Sequence, residues 1–383
     1  MQKYRISLIQ FSTLCYSLIL CWILITWAVD AEGQADQNSI AERARIRDLG
    51  FKIGIYPTGR HNAITDVMGV KVGHVTLNQG NNIRTGVTAV IPNPDLETHL
   101  LVGATYTIHG NGEMTGMAWV NDAGYIESPI MLTNTLSVGA VHEGVVRYLN
   151  HVALPIVGEC YDGYLNDIRG LHVRPEHAIE AINTATDGAV EEGCVGAGTG
   201  MRCYQFKAGI GTASRLLPTD QGGYTIGVLV NSNGGRRHQL RIDGVPVGKE
   251  IQDLLPFQGK DGSFIIVIAT DAPLTHRQLR QLCLRATHGL ARTGTPSTMS
   301  SGEFVIAFST ANKIPRRSDH PVLEMRMLRN RNLDPLYQAV IETTEEAIYN
   351  SMTMASTMAG KQNRTIPAIP LDRLNAVMKK YGY

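Results

Sequence analysis

The chain has 383 residues, 43% of them hydrophobic and 18% charged, with 35 Lys and Arg against 34 Asp and Glu for a formal net charge of +1. That balance describes a globular protein with chain enough for a large core. It excludes nucleic acid as a partner, because Arg236-Arg237 and Arg316-Arg317 are two short pairs in a nearly neutral chain and not a basic stripe.

The chain opens with Lys3 and Arg5 ahead of an apolar stretch over residues 6–29, with Val29 and Ala31 placed like the small residues before a signal-peptidase cut. Residues 1–31 therefore predict an export signal, and the mature protein a periplasmic or secreted location. The alternative is a membrane anchor formed by residues 6–29, since about 20 apolar residues span a bilayer. Gln10, Ser12, Thr13 and Ser17 interrupt that stretch and favour cleavage. Residues 32–45 are polar and then charged, a leader ahead of a single domain over residues 46–383.

Within that domain, β-branched or aromatic runs bounded by Gly, Asn or Asp predict strands at residues 69–77, 88–91, 100–108, 224–230, 264–270 and 303–308. Apolar residues recurring every three or four positions predict helices at 136–149, 175–184, 276–291 and 335–358. Thr275 with Gln278 has the pattern of a capping box, and Asp334-Pro335 supplies a cap and a first-turn proline to the longest helix. The runs 224–230 and 264–270 are almost continuously apolar, which predicts strands covered on both faces. The expectation is an α/β (α+β) domain of helix, sheet, sheet and helix layers.

Of the six cysteines, Cys15 and Cys21 fall in the signal. Cys160, Cys194, Cys203 and Cys283 have no metal-site spacing, leaving either buried thiols or a Cys194–Cys203 bridge. His142-Glu143 lacks the second histidine of a zinc-protease helix, because position 146 is Val146. There is no Gly-x-Ser-x-Gly elbow, and Gly196-Ala197-Gly198-Thr199-Gly200 reads as a tight turn and not as a nucleotide loop. Asn363-Arg364-Thr365 matches a glycosylation acceptor, a short pattern that matters only in a eukaryotic secretory route. Gly262-Ser263, after Asp261 and before an apolar strand, is on its own a turn.

Six separated blocks change that reading. They are Asn62-Ala63-Ile64-Thr65-Asp66-Val67 with Val70-Lys71-Val72-Gly73-His74; Tyr161-Asp162-Gly163-Tyr164-Leu165-Asn166-Asp167; Asp243-Gly244-Val245-Pro246-Val247-Gly248; Gly262-Ser263 with Ala269-Thr270-Asp271-Ala272-Pro273; Gly289-Leu290-Ala291-Arg292-Thr293-Gly294; and Ala307-Phe308-Ser309-Thr310-Ala311-Asn312. In that order they make residues 43–375 resemble the β-aminopeptidase family, which includes the L-aminopeptidase/D-amidase/D-esterase enzymes. The resemblance implies a four-layer αββα sandwich with layers like those of the N-terminal-nucleophile hydrolases and the connectivity of the aminopeptidase/ornithine acetyltransferase superfamily.

It also implies self-cleavage between Gly262 and Ser263, giving an α chain that ends at Gly262 and a β chain of residues 263–383. Ser263 would then be the nucleophile, with its freed α-amine as base; such an amine has an ordinary pKa of about 7.7–8.0. Tyr161 and Asn233 correspond to the family's oxyanion donors, and Ser301 and Glu303 to the Ser and Glu beside the nucleophile. The implied substrates are short peptides, amino-acid amides or esters losing an N-terminal L-, D- or β-residue. No metal or organic cofactor is implied, and the αβ units are expected to form a homo-oligomer.

One departure concerns Asn231-Ser232-Asn233-Gly234-Gly235, where many relatives follow the last Asn with an aromatic residue and so have another pocket wall. Two rivals stand beside this reading. One is an acyltransferase of the ornithine acetyltransferase type, which generally uses threonine where this chain has Ser263; the other is an uncut, non-catalytic binding protein.

Overall fold

In the computed structural model, which describes residues 43–256 and 262–383, the apolar runs of the sequence lie at the centre of a layered stack. The expected signal over 1–31 and most of the leader over 32–45 lie outside the described residues, whereas residues Ala44–Tyr383 form one unit. No helix of the described residues is long and apolar enough to cross a membrane.

The elements follow in the order β1 (Lys71–Gln79), β2 (Ile83–Ile91), β3 (His99–Gly110), α1 (Met117–Ala123), β4 (Tyr125–Ile126), β5 (Ile130–Asn134), α2 (Val138–Tyr148), β6 (Ile156–Cys160) and α3 (Pro175–Asn183). After these come β7 (Arg202–Cys203), β8 (Phe206–Lys207), β9 (Ile210–Leu216), β10 (Thr225–Asn233), α4 (Val247–Glu250) and β11 (Ser263–Thr270). The chain closes with α5 (His276–Arg292), β12 (Gly302–Pro315), α6 (Asp334–Thr353), β13 (Met358–Ala359), β14 (Thr365–Ile366) and α7 (Leu371–Lys380). One sheet has four strands in the order β1-β2-β5-β6, and the other six in the order β4-β3-β12-β11-β10-β9. Pairing is antiparallel except for β5 with β6 and β11 with β12, which are parallel.

β11 shows why its sequence is apolar throughout. Phe264, Ile266 and Ile268 join a core with Leu279 and Leu282 of α5 and Ala347 and Ile348 of α6. The alternate residues Ile265, Val267 and Ala269 join a second core with Leu132 of β5 and Ile156 of β6. Period-two side chains on a strand between two layers must be apolar on both faces, and each such Ile or Val fully buried contributes about 1.5–3 kcal/mol. A third core joins Val141 and Val145 of α2 and Ala178 and Ile182 of α3 to Val87, Met131 and Val157 of the four-stranded sheet. The stack is therefore the expected αββα sandwich.

All six predicted strands and all four predicted helices exist. The expected capping box is present, with Gln278 donating its backbone N–H to the Thr275 hydroxyl at 3.4 Å and the Thr275 N–H donating to the Gln278 amide oxygen at 3.0 Å. Three details differ. Asp334 does not cap α6 but lies in its first turn, with Leu333 at the N-cap. α6 ends at Thr353, five residues before the expected 358, because the helix closes on Met354 and the chain turns into β13. Cys160, Cys194, Cys203 and Cys283 are all free thiols, with Cys203 buried and the Cys194 sulfur donating to the Ser356 carbonyl, so there is no Cys194–Cys203 bridge.

Candidate active site

Four strands deliver the candidate residues to one end of the sandwich. Ser263 is the first residue of β11, Asn233 is the last residue of β10, and the two are register partners across the antiparallel pair. On the other side of β11 runs the parallel strand β12, which carries Glu303 as its second residue and has Ser301 just before it. From the facing sheet, β6 ends at Cys160 and Tyr161 follows directly.

Ser301 joins the group together. Its hydroxyl donates to the Gly262 carbonyl, and it lies 2.6 Å from Glu303 Oε1. A serine hydroxyl has one proton to give. Its single proton therefore has two acceptors in reach, the Gly262 carbonyl and the fully buried Glu303 carboxyl.

Asn233 is clamped from two sides: its Nδ2 donates to the Tyr161 carbonyl at 2.9 Å, and its Oδ1 accepts the Arg202 backbone N–H at 3.2 Å. This fixes the amide orientation and leaves one Nδ2 hydrogen unassigned. The clamp lies against Gly262, where a Cβ would stand 1.7 Å from the Asn233 backbone oxygen and 2.9 Å from its Nδ2. Only glycine lets the chain pass there. Tyr161 is 51% exposed, and its ring folds back so that its hydroxyl lies over Gly163.

These residues line a cavity of about 390 Å³, together with Asn111, Gly112, Thr135, Glu159, Arg202 and Ser300. The structure thus brings Gly262, Ser263, Tyr161 and Asn233 to one cavity, with Ser301 and Glu303 directly behind it. At Gly234, the position that follows Asn233, a Cβ would stand 2.3 Å from the Phe264 ring.

Sequence reasoning missed Glu159 and Arg202. Glu159 stands on β6, its Oε2 accepting the Thr135 hydroxyl and its Oε1 the Glu113 backbone N–H at 3.2 Å. Burial pushes its carboxyl above the usual range, and the Thr135 hydrogen bond only partly offsets this. The available signal was an acid within the apolar run Ile156-Val157-Gly158-Glu159-Cys160, directly before the Tyr-Asp-Gly block.

The model of Peptidase family S58 matches residues 62–366 of the chain. A β-peptidyl aminopeptidase of Sphingosinicella microcystinivorans is 41% identical, the match covering 96% of this chain and 97% of that protein. Among solved structures, a Burkholderia sp. β-aminopeptidase is 40% identical with a TM-score of 0.85, covering 89% of this chain and 99% of that one. The L-aminopeptidase D-Ala-esterase/amidase of Ochrobactrum anthropi, described as a variant of the Ntn hydrolase fold, is 39% identical with a TM-score of 0.83, covering 88% and 99%.

Proposed function

Because the chain belongs to peptidase family S58 and is a serine aminopeptidase, we propose that it cuts itself between Gly262 and Ser263 and then works through Ser263 as an N-terminal nucleophile. The observation that carries this reading is the Ser301 hydroxyl donating to the Gly262 carbonyl, at the bond to be broken, directly behind the cavity that Gly262 and Ser263 line.

In the uncut chain, the Ser263 oxygen attacks the Gly262 carbonyl carbon. The developing oxyanion is met by the proton of Ser301, which Glu303 supports from behind. The C–N bond then breaks, the Ser263 nitrogen takes up the proton that the Ser263 hydroxyl gives up, and an ester joins Gly262 to the Ser263 oxygen. Water hydrolyses that ester, leaving a carboxylate on Gly262 and a free hydroxyl and amine on Ser263.

In the mature enzyme the α-amine takes the hydroxyl proton as Ser263 attacks the substrate's acyl carbon. Asn233 Nδ2 and Tyr161 stabilise the oxyanion, while Ser301 and Glu303 hold the new ammonium and return its proton to the leaving amine; water then hydrolyses the acyl ester on Ser263, releasing the N-terminal residue and restoring the hydroxyl. Glu159 receives the substrate's own ammonium group, which selects peptides with a free N-terminus. The substrates are short peptides, amides or esters that give up one N-terminal residue of the L-, D- or β-type.

Export through residues 1–31 and assembly of αβ units into a homo-oligomer belong to the same proposal. The exposed apolar residues Val322, Leu323, Met325 and Met327, in an extended segment after β12, support the second of these.

Intact mass and N-terminal sequencing of the denatured protein test the central step. The wild type should give a smaller chain beginning Ser263-Phe264-Ile265 and the Ser263→Ala variant one uncut chain, with hydrolysis of a dipeptide amide present only in the first. A wild type that stays whole while hydrolysing the amide removes the proposed nucleophile.

A further inference from the structure

The cavity at Ser263 carries opposite charges on two different elements, Glu159 on β6 and Arg202 on β7. In the mechanism above, Glu159 takes the substrate's ammonium, so the acyl residue lies between Glu159 and Ser263. Arg202 is tied to the oxyanion side of the site, because its backbone N–H is what fixes the Asn233 amide. The same residue lines the cavity that Ser263 and Glu159 line, on a different element from Glu159.

We propose that Arg202 binds the C-terminal carboxylate of the leaving residue, so that the enzyme prefers free dipeptides to dipeptide amides. The proposal rests on the aminopeptidase reading and extends it from the acyl side to the leaving-group side. In a dipeptide the carboxylate carbon is three bonds from the scissile carbonyl carbon, so both groups fall within the one cavity that Ser263 and Arg202 line. A cavity of about 390 Å³ lies toward the small end of ligand sites, as suits a dipeptide better than a long chain.

The Arg202 guanidinium is held in orientation by the Tyr164 ring, 5.5 Å from the ring centroid, and Arg364 lies over the same ring at 5.1 Å. A planar fork steadied by an aromatic ring suits bidentate pairing with a carboxylate, and the second guanidinium adds positive potential. A carboxamide offers neither the charge nor the second acceptor oxygen.

The test uses matched pairs, β-alanyl-L-alanine with its amide and L-alanyl-L-alanine with its amide, on the self-processed wild type, Arg202→Gln and Arg202→Lys. The expected wild-type kcat/KM favours the free acid about tenfold or more, the worth of one charge-assisted pair. Arg202→Gln should abolish that preference, mainly by raising KM for the acid, and Arg202→Lys should retain part of it. Division of each variant into its two chains, followed by mass, reports that it has folded. Equal loss on acid and amide in both variants, or a wild type indifferent to the carboxylate, overturns the assignment. A wild type that turns over neither member of any pair sinks the aminopeptidase reading itself.

Discussion

In the proposed mechanism, Glu159 is the residue that meets the substrate's ammonium group in the cavity. Burial raises its pKa, while the Thr135 hydroxyl and the Glu113 amide hold it in place. An ammonium group arriving beside it reverses the cost of ionising it, so charge and ligand are taken up together. Glu159→Gln keeps the size and one acceptor oxygen but cannot carry the charge. A charge-assisted hydrogen bond contributes about 1.5–3 kcal/mol, so the expected loss in kcat/KM is roughly 10- to 100-fold, seen chiefly in KM. Steady-state kinetics on a dipeptide amide measures it, and self-cleavage of the same variant provides the control, since the uncut chain places no ammonium in that cavity. A variant with unaltered KM would remove Glu159 from substrate binding.

At the scale of elements, close approach decides which strands exist. β9 contains Gly211, Ser214 and Arg215, a poor strand by composition, and it was not expected from the sequence. It forms because α6 lies directly on it: a Cβ at Gly211 would stand 2.0 Å from the Ala347 carbonyl oxygen. The fully buried Arg215 pairs with Glu342 at 3.2 Å and Glu346 at 2.6 Å, both on α6. Gly211→Ala must therefore push the helix off the sheet, and overpacking of this kind costs about 1–3 kcal/mol. Thermal unfolding of the uncut Ser263→Ala chain with and without this change should show a drop of several degrees; equal melting would mean that α6 yields freely. The same strand shows where the sequence stopped being legible. β10, β11 and α5 announce themselves through local periodicity, whereas Arg215 meets its partners more than a hundred residues further along, which no local window contains. The site divides in the same way. Tyr161 and Ser263 lie in the motif blocks and Asn233, Ser301 and Glu303 were singled out by correspondence with the family, but Glu159 and Arg202 stand out only where β6 and β7 reach the same cavity.

For the whole molecule, the consequence of burying acids is a stability that depends on pH. Burial pushes the Asp162 carboxyl up to about 7, although Asn166 donates to it at 3.0 Å, and Glu192 is likewise raised to about 7 despite Arg45 at 2.7 Å. In the unfolded chain an aspartate releases its proton near 3.9. Between that value and about 7 the folded state keeps a proton that the unfolded state has lost, so stability falls as pH rises through this window and levels off above it. The integrated effect is on the order of a few kcal/mol per group. Asp162→Asn is neutral at every pH and can still accept from Asn166. In the uncut Ser263→Ala background it should flatten the decline between pH 5 and 8, with Glu192 supplying the slope that remains, and should melt higher than its parent at pH 8. Denaturant unfolding at pH 5 and pH 8 measures the two slopes, and parallel slopes in parent and variant would mean that Asp162 ionises in the folded protein no later than it does in the unfolded one.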